Sequence, residues 1–428
     1  MDKMIQFLEK YFIPVAGKIG AQRHLVAIRD GFMVIMPLII AGALAVLFNN
    51  FPIDGWPKWL ADNGYNAIAG NIWTGSFAIM GLLIAGTVAY NLAKGYGVDG
   101  MSAAALSIGV FVIFSPLTGN DTFGIQFSYL GAQGLFVALF VAIFVTEIFR
   151  FLIQKNFTIK MPDGVPPAVA RSFAALLPGM AVLLIAGLAQ YFIATSGGNV
   201  FTWVFTTIQQ PLQGFGDSLP ALLLIAFLNH FLWFFGLHGS NILGGLIDPI
   251  YLPLIEENIK VFGETGNAAD VPNLVTKQLL DAFVYMGGSG TTLALLIAVL
   301  IFAKSNQARS VGKLATPSGL FNINEPVMFG FPIVLNPMML VPFILTPLVL
   351  SLTSYFAISW GWVSKTVAIA PWTAPPIMSG WIVTGGDVMG IVLQVVNLAI
   401  AVLLYVPFVI AADKQMQRAE ATAQKTGA

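Results

Sequence analysis

Cysteine is missing altogether from these 428 residues, and charge is scarce: Asp, Glu, Lys and Arg together make up 9% of the chain. Without a thiol there is no disulfide framework, no thiolate metal site and no cysteine nucleophile. Soluble domains carry about a quarter charged residues, so a water-soluble fold of this size would run out of polar surface. With 57% hydrophobic residues and a mean hydropathy of +0.82, the chain reads as an integral membrane protein. Neither sign of charge prevails, twenty basic residues facing twenty acidic ones, and no net field gathers nucleic acid. A nucleotide-hydrolysing loop is absent too. Gly17-Lys18 and Gly312-Lys313 are followed by Ile19 and Leu314, which breaks the Walker A pattern, and no HExxH occurs. Powered transport by this chain would draw on an ion gradient or on a second protein.

What is there is mostly apolar and helical in pattern. Nine runs long enough to cross a bilayer, about 17–25 residues each, occupy 31–50, 72–91, 101–118, 133–151, 170–194, 219–237, 279–302, 333–352 and 391–411. Lys3 to Arg29 precede the first run, and Lys414, Arg418 and Lys425 follow the last. Both termini are therefore expected in the cytoplasm, which needs an even number of crossings. Lys304, Arg309 and Lys313 fall on the inside only if 242–254, holding Asp248 and Pro249, crosses as well. The expectation is an all-α membrane protein of about ten transmembrane helices.

Residues 1–30, with Met4, Leu8, Tyr11 and Val15 at helical spacing, read as an N-terminal amphipathic helix on the membrane surface. Up to about residue 195 the spans are clean. Beyond it, Pro/Gly-rich polar sequence intrudes at membrane depth: 236–241, 287–292, 316–326 and 371–386. Irregular backbone survives in a bilayer only where it is buried in protein or lines a wet cavity, and re-entrant hairpins around a substrate are the usual form of it.

Glu325 is the only charged side chain between Lys313 and Lys365. A carboxylate at membrane depth costs about 2.5–3.5 kcal/mol, so it needs partners or water. Asn322 and Asn324 supply amides beside it, and Pro326 disfavours helix at Glu325. Its role is that of a sugar-hydroxyl acceptor or a proton carrier, the bland alternative being a helix cap. His238, in Gly236-Leu237-His238-Gly239-Ser240-Asn241, offers one donor and one acceptor to a hydroxyl-rich ligand; the alternative is a core histidine. His230 reads as packing or a helix–helix hydrogen bond, and with no third ligand a His230/His238 metal site is not expected. Trp233 and Trp372 are stacking platforms for a sugar ring or members of the interfacial aromatic belt. Gln133, between Gly131 and Gly134, is a further polar candidate, and Gly287 to Thr292 turns a hairpin or binds an anion.

The two motifs taken together, Gly236 to Asn241 and Asn322-Ile323-Asn324-Glu325-Pro326-Val327-Met328-Phe329-Gly330, resemble the IIC membrane component of the bacterial phosphotransferase system, in its lactose, cellobiose and diacetylchitobiose branch. The resemblance extends over essentially the whole chain, including Gln22-Arg23-His24-Leu25. It implies ten crossings with re-entrant hairpins and amphipathic surface helices, in the bacterial cell membrane. It also implies a homodimerising interface domain over 31–200, a sugar-binding transport domain over 201–412 and a cytoplasmic tail over 413–428. By matching motif, His238 and Glu325 are the catalytic pair at the sugar hydroxyl that becomes phosphorylated, with Glu325 as base. Trp372, Trp233, Asn241, Asn322, Asn324 and Gln133 are the other substrate-binding candidates. The partners implied are a disaccharide of cellobiose, diacetylchitobiose or lactose type, a IIB protein whose phosphocysteine donates the phosphoryl group, and IIA behind it. Lys304 to Lys313 are the expected IIB-docking surface. No cofactor, metal or nucleic acid is implied. The alternative reading is a proton-coupled disaccharide symporter with Glu325 as proton carrier.

Overall fold

The structure is a computed structural model that describes residues 2–116, 124–162, 164–331 and 333–426. The described residues form helices and irregular connections, with no strand ladder. The first half runs α1 (Asp2–Gly20), α2 (Arg23–Asn49), α3 (Trp56–Asp62), α4 (Asn66–Thr74), α5 (Met80–Gly95), α6 (Gly100–Phe114), α7 (Leu135–Gln154) and α8 (Pro167–Thr195). The second half runs α9 (Val200–Val204), α10 (Gln210–Gly216), α11 (Leu219–Phe234), α12 (Gly239–Thr265), α13 (Lys277–Leu279), α14 (Thr292–Phe302), α15 (Asn306–Gly319), α16 (Glu325–Gly330), α17 (Pro337–Ser359), α18 (Met378–Val383) and α19 (Val388–Thr426). Side-chain caps set many of the starts: Gln22 accepts from Leu25 N, Asp99 from Ser102 N, Ser218 from Ala221 N and Ser305 from Ala308 N.

Among the described residues, six helical stretches are long and apolar enough to cross a bilayer: Arg23–Asn49, Asn66–Gly95, Ala132–Gln154, Pro167–Thr195, Pro337–Ser359 and Val388–Thr422. The pair Val200–Gly216 and Leu219–Phe234, bent by 77°, adds a seventh, and α6 and α14 are shorter apolar helices. The 27-residue α12 is of membrane length as well.

Four boundaries differ from the sequence reading. The helix expected over 1–30 ends at Gly20, and Arg23 onward already belongs to α2, because the Gln22 side chain caps a new helix there. The apolar run 279–302 is not one helix: a π-helical turn over Leu280–Val284 gives way to a tight turn before α14. Gly287, Gly288, Gly290 and Thr291 all have positive φ in that turn, which no helix accommodates. The segment expected over 242–254 is the middle of the longer α12. The tail from 413 continues α19 as helix to Thr426. Residues 117–118, the end of the 101–118 run, lie outside the described residues.

Helices packing in lipid gain little from the hydrophobic effect and depend on close approach and hydrogen bonds. In the first half, α2 lies on α5 where Gly31 faces Val88 so closely that a Cβ would meet its backbone at 3.1 Å. Phe32, Phe77, Phe111 and Phe149 fill the core around that contact. Phe201, Val204, Leu252, Ile255, Ile259 and Ile369 also belong to this core, although they follow residue 200.

The second-half core contains Trp233, Tyr251, Phe283, Phe343 and Tyr405. Its irregular backbone is served by buried amides. Asn258 Nδ2 donates to the carbonyls of Asn273 (2.8 Å) and Thr366 (2.9 Å). Gln394 donates to Ala282 O (2.6 Å) and accepts from Gly380 N (3.0 Å), and Asn397 donates to Phe283 O (3.0 Å). Each amide meets main-chain groups that neither water nor a regular helix satisfies at that depth.

Candidate functional site

Three connections of the second half converge: the α11–α12 corner, the turn between α13 and α14, and the α15–α16 connection. At the corner, Gly236 (φ +75) reverses the chain and His238 becomes the N-cap of α12. His238 Nδ1 accepts from Asn241 N at 3.3 Å, which leaves the neutral ring's proton on Nε2. That atom faces Glu325 Oε1 at 4.0 Å. The separation exceeds hydrogen-bond length, and a hydroxyl oxygen at the apex of a triangle over the pair would reach both. The His238 and Glu325 side chains are 42% and 47% exposed. No other described group donates to Glu325, which begins α16 with Pro326 behind it.

Trp233 forms the wall behind the histidine, its ring 4.4 Å from that of His238. It is buried, and its indole N–H has no partner among the described residues. Asn241 contributes its backbone N–H to His238, while its own side chain is exposed.

A relay of hydrogen bonds holds the two motifs together. Ser240 Oγ donates to Asn229 Oδ1 (3.0 Å), Asn229 Nδ2 to Ser289 Oγ (3.0 Å), and Asn324 Nδ2 to Ser289 O (3.0 Å). Asn322 works on the other side. Its Oδ1 accepts from Gly287 N (2.7 Å), and its Nδ2 donates to Trp372 O (2.7 Å) and Ala374 O (3.0 Å). The turn fits this role because Gly288 lies against Asn322 and Asn324, where a Cβ would come within 2.9 Å of both residues. The Gly/Ser/Thr turn is thus a joint between the motifs. Trp372 is 62% exposed beside Asn322.

Asp281, Gln278 and Ser379 line a small cavity of about 10 Å³ together with Asn322 and Trp372. Lys277, one turn before Asp281, pairs with Asp248 at 2.8 Å. Asn229, Gln278, Asp281 and Ser379 are not singled out by the sequence, and Ser289 only as part of the Gly287 to Thr292 turn. A lone Asp at the edge of an apolar run and a lone Asn inside one were the available signals. Gln133 stands exposed in the first half at the start of α7, and no hydrogen bond among the described residues joins it to this group. His230 is fully buried with Nδ1 on Ala226 O and with the rings of Tyr285 and Phe343 around it, a packing role.

The arrangement is an imidazole N–H and a carboxylate facing one another, backed by indole and flanked by amides, a donor and acceptor set that matches the hydroxyls of a neutral polyol. The family model described as phosphotransferase system, EIIC, matches residues 29–347. The chain belongs to that family. This EIIC chain is 43% identical to the "PTS system cellobiose-specific EIIC component" of Geobacillus stearothermophilus, over 97% of this chain and 95% of the relative. It is 41% identical to the "Lichenan permease IIC component" of Bacillus subtilis, over 98% and 96% of the two chains. Among solved structures it is similar to the transporter ChbC, the IIC component of the N,N'-diacetylchitobiose-specific phosphotransferase system. The TM-score is 0.91 at 42% identity, covering 98% of this chain and 99% of that one. The EIIC chain is accordingly an integral membrane protein, as the resemblance read from its two motifs implied.

Proposed function

We propose that this EIIC chain is the sugar permease of a phosphotransferase system, taking a β-linked disaccharide of cellobiose or diacetylchitobiose type and presenting its 6-hydroxyl to a phosphorylated IIB protein. The observation that carries the reading is the His238–Glu325 pair, 4.0 Å apart and half exposed, with His238 Nδ1 occupied by Asn241 N and its Nε2 facing Glu325. Trp372, 62% exposed, offers a face for a pyranose ring while the buried Trp233 backs His238, and Asn241, Asn322 and Asn324 serve or hold the groups around them.

In the reaction, the sugar's 6-oxygen attacks the phosphorus of IIB phosphocysteine. The P–S bond breaks as the P–O bond forms, the thiolate leaves on IIB, and the hydroxyl proton passes to the Glu325 carboxylate. His238 Nε2–H holds the attacking oxygen in line. The protein supplies orientation and a base, which suits phosphoryl transfer, where positioning and charge do most of the work. IIA recharges IIB.

Alternating access moves the second-half core against the first. The two buried clusters centre on different halves and meet where Leu252, Ile255 and Ile259 of α12 enter the first and Leu47 of α2 enters the second, which is the seam such a movement would use. The first half, residues 31–200, forms a homodimer through α8, where Met180, Leu184, Leu188, Tyr191 and Phe192 leave an apolar face uncovered. Both termini lie in the cytoplasm, where Lys304, Arg309 and Lys313 on and beside α15 receive IIB.

The test is uptake of labelled cellobiose, diacetylchitobiose and lactose into membrane vesicles with phosphorylated IIB added or withheld. IIB-dependent accumulation of sugar phosphate is expected. Accumulation of free sugar without IIB, abolished by an uncoupler, would replace this reading with proton symport through Glu325.

A further inference from the structure

The segment that carries Trp372 also borders a second, larger cavity. Between the Asn50–Pro57 loop of the first half and the second-half residues around Ser364 and Thr384–Asp387 lies a cavity of about 500 Å³. Small-molecule sites span about 300–1,000 Å³ and favour the seams between domains. It sits at the C-terminal end of α2 and the N-terminal end of α19.

Its chemistry is selective. The Asp54 carboxylate, the Ser364 hydroxyl and Asn50 Oδ1 take part in no hydrogen bond among the described residues; Asn50 uses its Nδ2 alone, on Val46 O (3.1 Å). Asp387, by contrast, is committed to Ser364 N (2.9 Å) and Met389 N (2.8 Å). No Lys or Arg lines the space, which disfavours an anion. One free carboxylate falls well short of the six to eight oxygen ligands, roughly, that a calcium ion takes. What remains is a neutral ligand rich in hydroxyl donors, with the Phe51 ring, 5.4 Å from that of Trp381, as an apolar face.

One short helix connects this cavity to the His238–Glu325 region. Ser379, near the start of α18, lines the small cavity with Asn322 and Trp372, and the residues after α18, Thr384 to Asp387, line the large one. Gly386 (φ +92) lies so close to Pro52 that any Cβ would overlap its ring, so the two halves meet at this wall.

We propose that this cavity is a second carbohydrate subsite, which holds a neutral β-linked disaccharide before it reaches His238 and Glu325. The ligand class rests on the permease reading above; the cavity's open groups do not. The test uses the chain's lack of cysteine. Ile53→Cys, at a 55% exposed position lining the cavity, is reacted with a maleimide in full-length protein in nanodiscs, with cellobiose or an equal concentration of mannitol. Cellobiose at ten times its Kd is expected to slow labelling about tenfold. The protection is expected to persist when His238→Ala and Glu325→Ala disable the first site, and to vanish when Asp54→Asn and Ser364→Ala are added. Protection confined to the intact first site would mean that the cavity closes through movement alone and would overturn the subsite. So would no protection in either background, or equal protection by magnesium. Phosphotransfer from phospho-IIB, measured on the same nanodiscs, tests the permease reading separately. Protection without phosphotransfer would leave the subsite in place and remove the permease.

Discussion

Asn322 and Trp372 are fifty residues apart in sequence, and the Asn322 Nδ2 donates to the Trp372 carbonyl at 2.7 Å. The same amide reaches Ala374 O, and its oxygen takes the N–H of Gly287. One side chain therefore sets two backbone segments that have no regular secondary structure of their own. It does so from φ +63, a left-handed conformation that asparagine adopts more readily than most residues.

Replacing Asn322 separates its two roles. Asn322→Gly keeps the backbone conformation and loses three hydrogen bonds, at about 1 kcal/mol each. Asn322→Ala loses the same bonds and adds about 1–2 kcal/mol for a Cβ in the left-handed region. Both variants are expected to melt below the parent protein in detergent, the alanine variant lower, and both to bind sugar more weakly. An alanine variant as stable as the glycine one would show that backbone conformation contributes nothing here.

Glu325→Gln keeps the volume of the side chain and removes the base. Phosphotransfer from phospho-IIB is expected to fall by about 10²–10⁴, the range of general-base catalysis. Sugar affinity, measured by calorimetry on the purified protein, is expected to change by less than about tenfold, or 1.4 kcal/mol. Equal losses in the two measurements would make Glu325 a binding residue only.

The membrane-spanning plan was legible in the sequence because lipid forces it: apolar runs and basic flanks are local properties. His238 and Glu325 stood out for the same reason, as ionisable groups where a bilayer penalises them. The joints did not. Hydropathy averages over Gly287 to Thr292 and reads 279–302 as one span, while the break is made by four positive φ angles, with Gly288 fitted closely against Asn322 and Asn324. Asn229, Asn258, Gln394 and Asn397 each look like one polar residue lost in an apolar run. Their partners lie far along the chain, 108 residues for Asn258 and Thr366, 114 for Asn397 and Phe283. Only the fold brings them together.

Trp233→Phe tests the unpartnered indole N–H. Phenylalanine retains an aromatic wall against His238, and no protein hydrogen bond is lost, because Trp233 Nε1 makes none. Stability without sugar is therefore expected to hold or to rise slightly, since a buried polar group without a partner costs about 1–3 kcal/mol. Sugar affinity is expected to fall by about fivefold to tenfold if that N–H meets a hydroxyl, the worth of one hydrogen bond. Unchanged affinity would confine Trp233 to packing.

Asn229 occupies the centre of the relay, and its removal is expected to affect both motifs. It accepts from Ser240, which follows His238 by two residues, and donates to Ser289, whose carbonyl receives Asn324 next to Glu325. Gly239 packs against Asn229 as well, at a distance no Cβ would allow. Asn229→Ala leaves the buried Ser289 hydroxyl short of a partner, removes the bond to the exposed Ser240 and opens space beneath the histidine corner, so a loss of about 2–4 kcal/mol is expected from the unmade bonds and the cavity together. Ser289→Ala removes one of those bonds alone and should cost about 1 kcal/mol. Because the two residues touch, their effects should not add: a double-mutant cycle read by thermal unfolding is expected to give a coupling of about 0.5–3 kcal/mol. The same cycle repeated with sugar affinity as the readout separates a shared fold role from a shared site role. Coupling in stability alone would make the relay a scaffold. Coupling in both would mean that the His238 and Glu325 motifs are held at their 4.0 Å separation through Asn229.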